Sequence, residues 1–365
     1  MNTDNNTQLD KQKIFSGNVF IFYSFDVGDD IDLEGIKNSQ VLFRRPLVLS
    51  KYFKNYHIPV EVELPHPHTS TRCISTKLHN FGVISLAYKI PFSQSLESLR
   101  EEINIIEEEF REQSITDASI IFNKIKNYIK QAKFFHLRNS YVVIQVDFEP
   151  ELTDTIKLKQ DYGSLIASIL RFETELLSEY QKNEILDGAI GYYRGDLIII
   201  DTEAAFVYDD EYEELLVLFE FANLQLLELQ YFDRVLDQHL NEVYEQDKVR
   251  KIGYSTYLPL VSVVKGDPVA ELGKLRVDIS VITERLENSI KLAGEAYYSE
   301  LYSVLVSKLE IANWRDSINR KLDIIKDIRT VYENKVNIIR DDLLSVLIII
   351  LIFIEVIIGI LHYLK

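Results

Sequence analysis

A single cysteine, Cys73, among 365 residues excludes a disulfide framework and a four-cysteine metal site. It suits a reducing compartment. Glycine and proline are sparse, at 13 and 8, so collagen-like and low-complexity architectures are out. Positive charge is also short, with 40 basic against 57 acidic residues, and the net charge of -17 repels phosphate backbones. Direct nucleic-acid binding is therefore not expected. The one local basic run is Lys124, Lys126, Lys130, Lys133 and Arg138, which follows an acid-rich stretch and reads as a solvated helix face.

The first thirteen residues lack an apolar segment that could engage a secretion machine, and the first arginine is Arg44. The expectation is a disordered tail over 1–13, with no signal peptide and no organellar presequence. No P-loop, dinucleotide glycine fingerprint or nucleophile elbow occurs, so no cofactor is expected.

What the sequence does have is a long apolar run. Residues 343–364 read LLSVLIIILIFIEVIIGILHYL, which as a helix rises about 33 Å, enough to cross a bilayer core. Glu355 is its only formally charged residue, and only Lys365 follows. The expectation is a single-pass, tail-anchored protein, with the lipid bilayer as one partner and the N-terminal body on the cytosolic side. Acidic residues inside a span are costly and are turned toward other helices. Helical counting places Ser345, Ile352, Glu355 and Gly359 on one face, an expected association surface in which Gly359 permits close approach.

Upstream, apolar runs at 19–23, 41–43, 60–62 and 83–88 read as strands, and Asp32 to Lys37 as a short helix. Helical spacing follows over 95–113 and 116–133, and strand-like runs return over 140–148 and 196–201. The fold class expected is α+β, with a strand-rich domain over 14–205, a helical domain and stalk over 206–340 and the anchor over 341–365. The stalk shows two stripes on four-and-three spacing. The second of them includes Ile318, Leu322, Ile325 and Val336, and either a hairpin packing on itself or a coiled coil between subunits accounts for it.

Metal chemistry has two candidates. His66 and His68, with Cys73 close in sequence, supply imidazole and thiolate, although their spacing matches no standard zinc pattern. Glu228, Asp233, Asp237 and His239 lie along the first long helix without the Glu-x-x-His motif of a di-metal bundle, and read as solvated or capping groups.

Several stretches carry a resemblance. Ala312, Asn313, Trp314, Arg315, Lys321, Leu322 and Asp323 ahead of the apolar run, with FYSFDVGDDIDLEGI at 22–36, FGVISLAYKIPF at 81–92 and FEFANLQLLELQYFDRVLD at 219–237, resemble the family named for being required for meiotic nuclear division. The resemblance implies a domain long catalogued as of unknown function, membrane association and a scaffolding or tethering role, with support of translation in mitochondrial members and links to sporulation and microtubules in fungal ones. The functional expectation is a non-enzymatic membrane-tethered scaffold, homo-oligomeric and docking an unknown protein partner. The alternatives are a membrane-bound enzyme with an unrecognised site, of metal or other kind, and a small oligomeric channel or transport regulator using Glu355.

Overall fold

The computed structural model describes residues 13–28, 30–46, 59–64, 72–134, 138–149, 154–191, 193, 195–249 and 296–364. The chain divides into two compact units. One comprises Met1–Tyr231 with Glu284–Asn313, and the other Phe232–Thr283 with Trp314–Lys365.

The first unit is built on a seven-stranded sheet with strand order β3-β4-β5-β1-β7-β9-β8. Its strands are β1 (Ile14–Asp26), β3 (Val60–Glu61), β4 (Cys73–His79), β5 (Val83–Ser95), β7 (Arg138–Val146), β8 (Leu197–Ile200) and β9 (Ala204–Tyr208). A two-residue pair of β2 (Asp30–Ile31) with β6 (Ile129–Lys130) stands apart from it. All neighbours in the large sheet are antiparallel except β7 and β9, so the sheet is mixed. The fold class is therefore α+β.

The central strands are buried on both faces, and for that reason β1 reads as a continuous apolar run rather than an alternating one. Val19, Ile21, Tyr23 and Phe25 enter the main core with Leu99, Ile103 and Ile121 of α2 (Leu96–Ile125) and Ile166 and Ile169 of α3 (Thr155–Leu170). Opposite them Phe20, Phe22 and Ser24 are covered as well. Ser24 meets Asn223 of α5 (Glu213–Val249), whose amide nitrogen lies 3.2 Å from the Ser24 hydroxyl. The remaining helices are α1 (Leu33–Ser39), α4 (Glu179–Leu186), α6 (Ala296–Lys308) and α7 (Ile311–Tyr363).

Gly17 fixes the register at the centre. A Cβ there would sit 2.1 Å from the carbonyl oxygen of Gln145 on β7, closer than any side chain permits. The strand can lie in its place only with glycine.

Two sequence expectations change. The stretches 95–113 and 116–133 form one helix, α2, which ends at Ile125. The Ser114 hydroxyl donates to the Arg111 carbonyl within the helix, so the polar residues at 113–116 do not break it. The run at 41–43 is not a strand, and among the described residues the bridge of Arg44 with Val62 is what forms there.

The second unit contains the outer part of α5 and most of α7, a continuous helix of 53 residues. Along it Leu344–His362 has a mean hydropathy of 3.2, long and apolar enough to cross a membrane, and none of it is buried. Glu213–Gln238 passes the same length and composition test at 1.2, yet 72% of its window is buried, which marks it as a core helix.

Candidate functional site

Chemistry-bearing side chains concentrate where α5 crosses the sheet. Lys77 of β4 places Nζ 2.5 Å from Oε2 of Glu220 on α5, with both side chains largely shielded from water. The Ser85 hydroxyl of β5 donates to Glu220 Oε1 at 3.2 Å. His79 Nε2 lies 3.0 Å from the same hydroxyl oxygen. With the serine proton committed to the carboxylate, Nε2–H is the donor to Ser85 Oγ, and the imidazole lone pair falls on Nδ1. Nδ1 is buried and has no partner. Burial first, and the Lys77 charge second, push the His79 pKa down to about 3, so the ring is neutral at physiological pH.

Serine, histidine and a carboxylate thus meet, but in an order that does not activate the hydroxyl. In a hydrolytic triad the carboxylate holds the histidine and the histidine takes the serine proton. Here the carboxylate holds the serine and the histidine donates to it, and both Ser85 and His79 are 2% exposed. The arrangement is a clasp that ties α5 to β4 and β5, satisfying polar groups that burial would otherwise leave unpaired.

A second polar layer lies on another side of α5. Gln225 accepts from the Tyr302 hydroxyl of α6 at 2.5 Å, while its amide nitrogen has no partner. One turn on, both oxygens of Glu228 are buried and unpartnered, and desolvation pushes its pKa up to about 8. The expectation of a solvated Glu228 is therefore wrong: the helix buries this position on a side that its amphipathic stripe does not mark.

A third cluster closes the turn between β8 and β9. Asp201, fully buried, faces Arg171 at the end of α3, whose Nη2 donates to Oδ1 at 3.2 Å with Nε beside Oδ2. Lys308 Nζ of α6 is 3.8 Å from Oδ1. The main-chain oxygen of Asp201 accepts from Tyr141, whose ring stacks on Phe219.

The residues singled out from sequence are placed differently. His66 and His68 lie outside the described residues. Cys73 is half-buried, with Sγ 3.6 Å from the Thr76 hydroxyl, and burial pushes the thiol up to about 11, which makes it inert. A β-bulge between Cys73 and Ser75 turns Cys73 toward Tyr88 and the main core, on the other side of the sheet from His79. Among the described residues no group of three His, Cys, Asp or Glu side chains could hold a metal. Asp233 and Asp237 are instead ion-paired, each with an oxygen 2.7 Å from Lys321 Nζ, and Asp233 also accepts from Ser317. Of the basic run, Lys124 is exposed in the last turn of α2, Lys126, Lys130 and Lys133 are exposed beyond it, with the β2–β6 register setting Asp30 opposite Lys130, and Arg138 is half-buried on β7, so the run does not form one helix face.

Along α7, Ile318, Leu322 and Ile325 are buried, while Val336 lies in the same helix outside the side chains described. Leu322→Ala should cost about 2–5 kcal/mol of stability, the range for removing a packed leucine side chain. An unchanged melting temperature would take Leu322 out of the core. Ile352 and Glu355 are exposed, nothing lies within 4 Å of where a Gly359 side chain would begin, and the Ser345 hydroxyl donates to the Asp341 carbonyl of its own helix.

Fold and clusters together define an α+β body on a mixed sheet, crossed by a core helix and continued by a separate apolar C-terminal helix. The family model described as "Uncharacterized protein MJ0711, N-terminal domain" matches residues 16–214, a little over half of the chain, and the chain belongs to that family. It is similar to the uncharacterized protein MJ0711 of Methanocaldococcus jannaschii, at 25% identity over 241 residues, covering 66% of this chain and 71% of that one. No solved structure matches. These matches overturn the resemblance to the meiotic nuclear division family. The stretches at 81–92 and 219–237 that carried it are largely a sheet strand and a core helix, whose patterns recur wherever such elements are buried.

Proposed function

We propose that the protein is a non-enzymatic scaffold, tethered to a membrane by the apolar part of α7 and docking a protein partner through its α+β body. The observation that carries the reading is the contrast within one helix. Near its start α7 buries Ile318, Leu322 and Ile325, and from Leu344 to His362 it buries nothing while remaining almost wholly apolar. A bilayer is the solvent that such a surface fits. The polar clusters around Glu220 and Asp201 support a non-enzymatic reading because their side chains are engaged in holding elements together. A lone, inert thiol suits a body on the cytosolic side. The helical part before the span acts as a stalk, and Ser345, Ile352, Glu355 and Gly359 offer a face for a homo-oligomer.

Separation of membrane and soluble fractions tests the tether. The full chain should stay in the pellet through a carbonate wash, and a chain truncated after Ile339 should be soluble and folded. Retention of the truncated chain would remove the single-anchor reading.

A further inference from the structure

Between its buried start and its span, α7 carries a second apolar stripe that the fold leaves in water. Ile324, Ile328, Val331 and Ile338 are 49%, 37%, 66% and 61% exposed. They follow four-and-three spacing, on a different side from the buried Ile318, Leu322 and Ile325. From Ile324 the stripe continues at intervals of seven through Val331, Ile338, Ser345, Ile352 and Gly359. The face read above as an intramembrane association surface is thus the continuation of an exposed seam that starts some twenty residues earlier. The intermediate slots at 335 and 342 hold Lys335 and Asp342, which interrupt the seam before the helix reaches the apolar run.

We infer that this seam pairs with the same seam of a second copy of the chain, in parallel and in register. The inference rests on the membrane-anchored reading, because a bilayer gives every copy one orientation and one height and so brings each of these residues level with its own equivalent. Such self-matching is what a two-fold interface requires. Area agrees. From Ile324 to Gly359 the helix runs about 53 Å, and a contact strip roughly 10 Å wide buries on the order of 1,100 Å² over two partners, above the ~1,000 Å² that a stable interface should clear. Leucine and isoleucine gain little from meeting one another in lipid, so the water-exposed half supplies the hydrophobic drive, while the half with Ser345 and Gly359 supplies close packing.

Disulfide trapping of the full chain in membranes tests the pairing. In a Cys73→Ser background, Val331→Cys and Ile338→Cys should give a product of twice the chain mass under mild oxidation, at least about five-fold more than Thr330→Cys and Asn337→Cys, since seam positions face each other and their neighbours do not. All four positions are exposed, so the substitutions leave the fold alone. Equal trapping at all four, no trapping, or a product of any other mass overturns the seam. Each preparation is also washed with carbonate: a chain that is extracted overturns the anchoring reading, whereas one that is retained without the periodic pattern overturns the pairing only. Glu355 flanks the seam, and Glu355→Leu is expected to shift the oligomeric mass in mild detergent toward the monomer. An unchanged mass would take Glu355 out of the contact.

Discussion

Glu228→Gln is expected to raise the stability of the protein at pH 8 and to change it little at pH 5. The folded chain holds the Glu228 carboxyl at a pKa of about 8 because burial in α5 removes its water and supplies no donor. Unfolded, the group titrates near 4.5. A carboxylate whose pKa is raised by folding costs nothing below its unfolded pKa, and the cost grows as pH rises toward the folded pKa. At one unit per 1.36 kcal/mol, the burden approaches about 4 kcal/mol at pH 8 and is under about 1 kcal/mol at pH 5. Glutamine has the shape of the protonated acid and cannot ionise, so the variant should keep the low-pH stability across the range. Thermal unfolding in detergent at the two pH values measures this, and equal gains at both would show that Glu228 is ionised or hydrated in the folded chain.

His79 bounds the acid side by the opposite sign. Its folded pKa of about 3 lies below the ordinary value of 6.5, so the unfolded chain takes up a proton that the folded chain refuses. Stability from this group is intact above pH 6.5 and is lost as pH falls toward 3. The two groups therefore oppose each other across a narrow window, and their combined contribution is best near pH 5 to 6. Both occupy the layers that α5 makes with its neighbours, so the pH dependence of these two groups follows from how that helix is held.

Among the strands, the most legible in the sequence were the long ones with an extended buried stretch. β1, β5 and β7 announce themselves as apolar runs because every side chain over 19–26, 83–88 and 141–146 is buried. β4 does not: Lys77 and His79 are polar, and their partners Glu220 and Ser85 lie up to 143 residues away. Local pattern cannot reveal a side chain that is satisfied from so far along the chain. Helices α3 and α4, between 150 and 190, were unread for a related reason, since polar residues are interspersed through both. Asp154 and Ser178, which cap them by accepting from Lys157 and Gln181, were the available signal. The apolar run at Leu344–His362 needed no partner to be recognised, because length and composition alone mark it. The seam at Ile324 was hidden behind the neighbouring stripe at Ile318 and Leu322: two four-and-three patterns overlap on one helix, and only the exposure of each residue separates them.

The same reasoning orders the effects at the β8–β9 turn. Arg171→Met should destabilise the protein more than Asp201→Asn, although the two substitutions break one ion pair. Removing Arg171 leaves the Asp201 carboxylate with no exposure to water and, among the described residues, with Lys308 Nζ, 3.8 Å away, as its remaining cation. Breaking a buried pair in this way costs about 3–5 kcal/mol, because the orphaned charge keeps its desolvation penalty. Removing the aspartate charge instead leaves the guanidinium, and the Arg171 side chain is 32% exposed and can regain water. Asparagine also retains an oxygen near the position of Oδ1, so the loss should be nearer about 1–2 kcal/mol. The main-chain oxygen of Asp201 still accepts from Tyr141 in both variants, which keeps the turn in place and makes the comparison one of charge. Chemical denaturation of the two variants at pH 7 measures the order. Equal losses would mean that Lys308 closes on the carboxylate when Arg171 is gone, and the double variant Arg171→Met with Lys308→Met would then lose more than the sum of the two single changes.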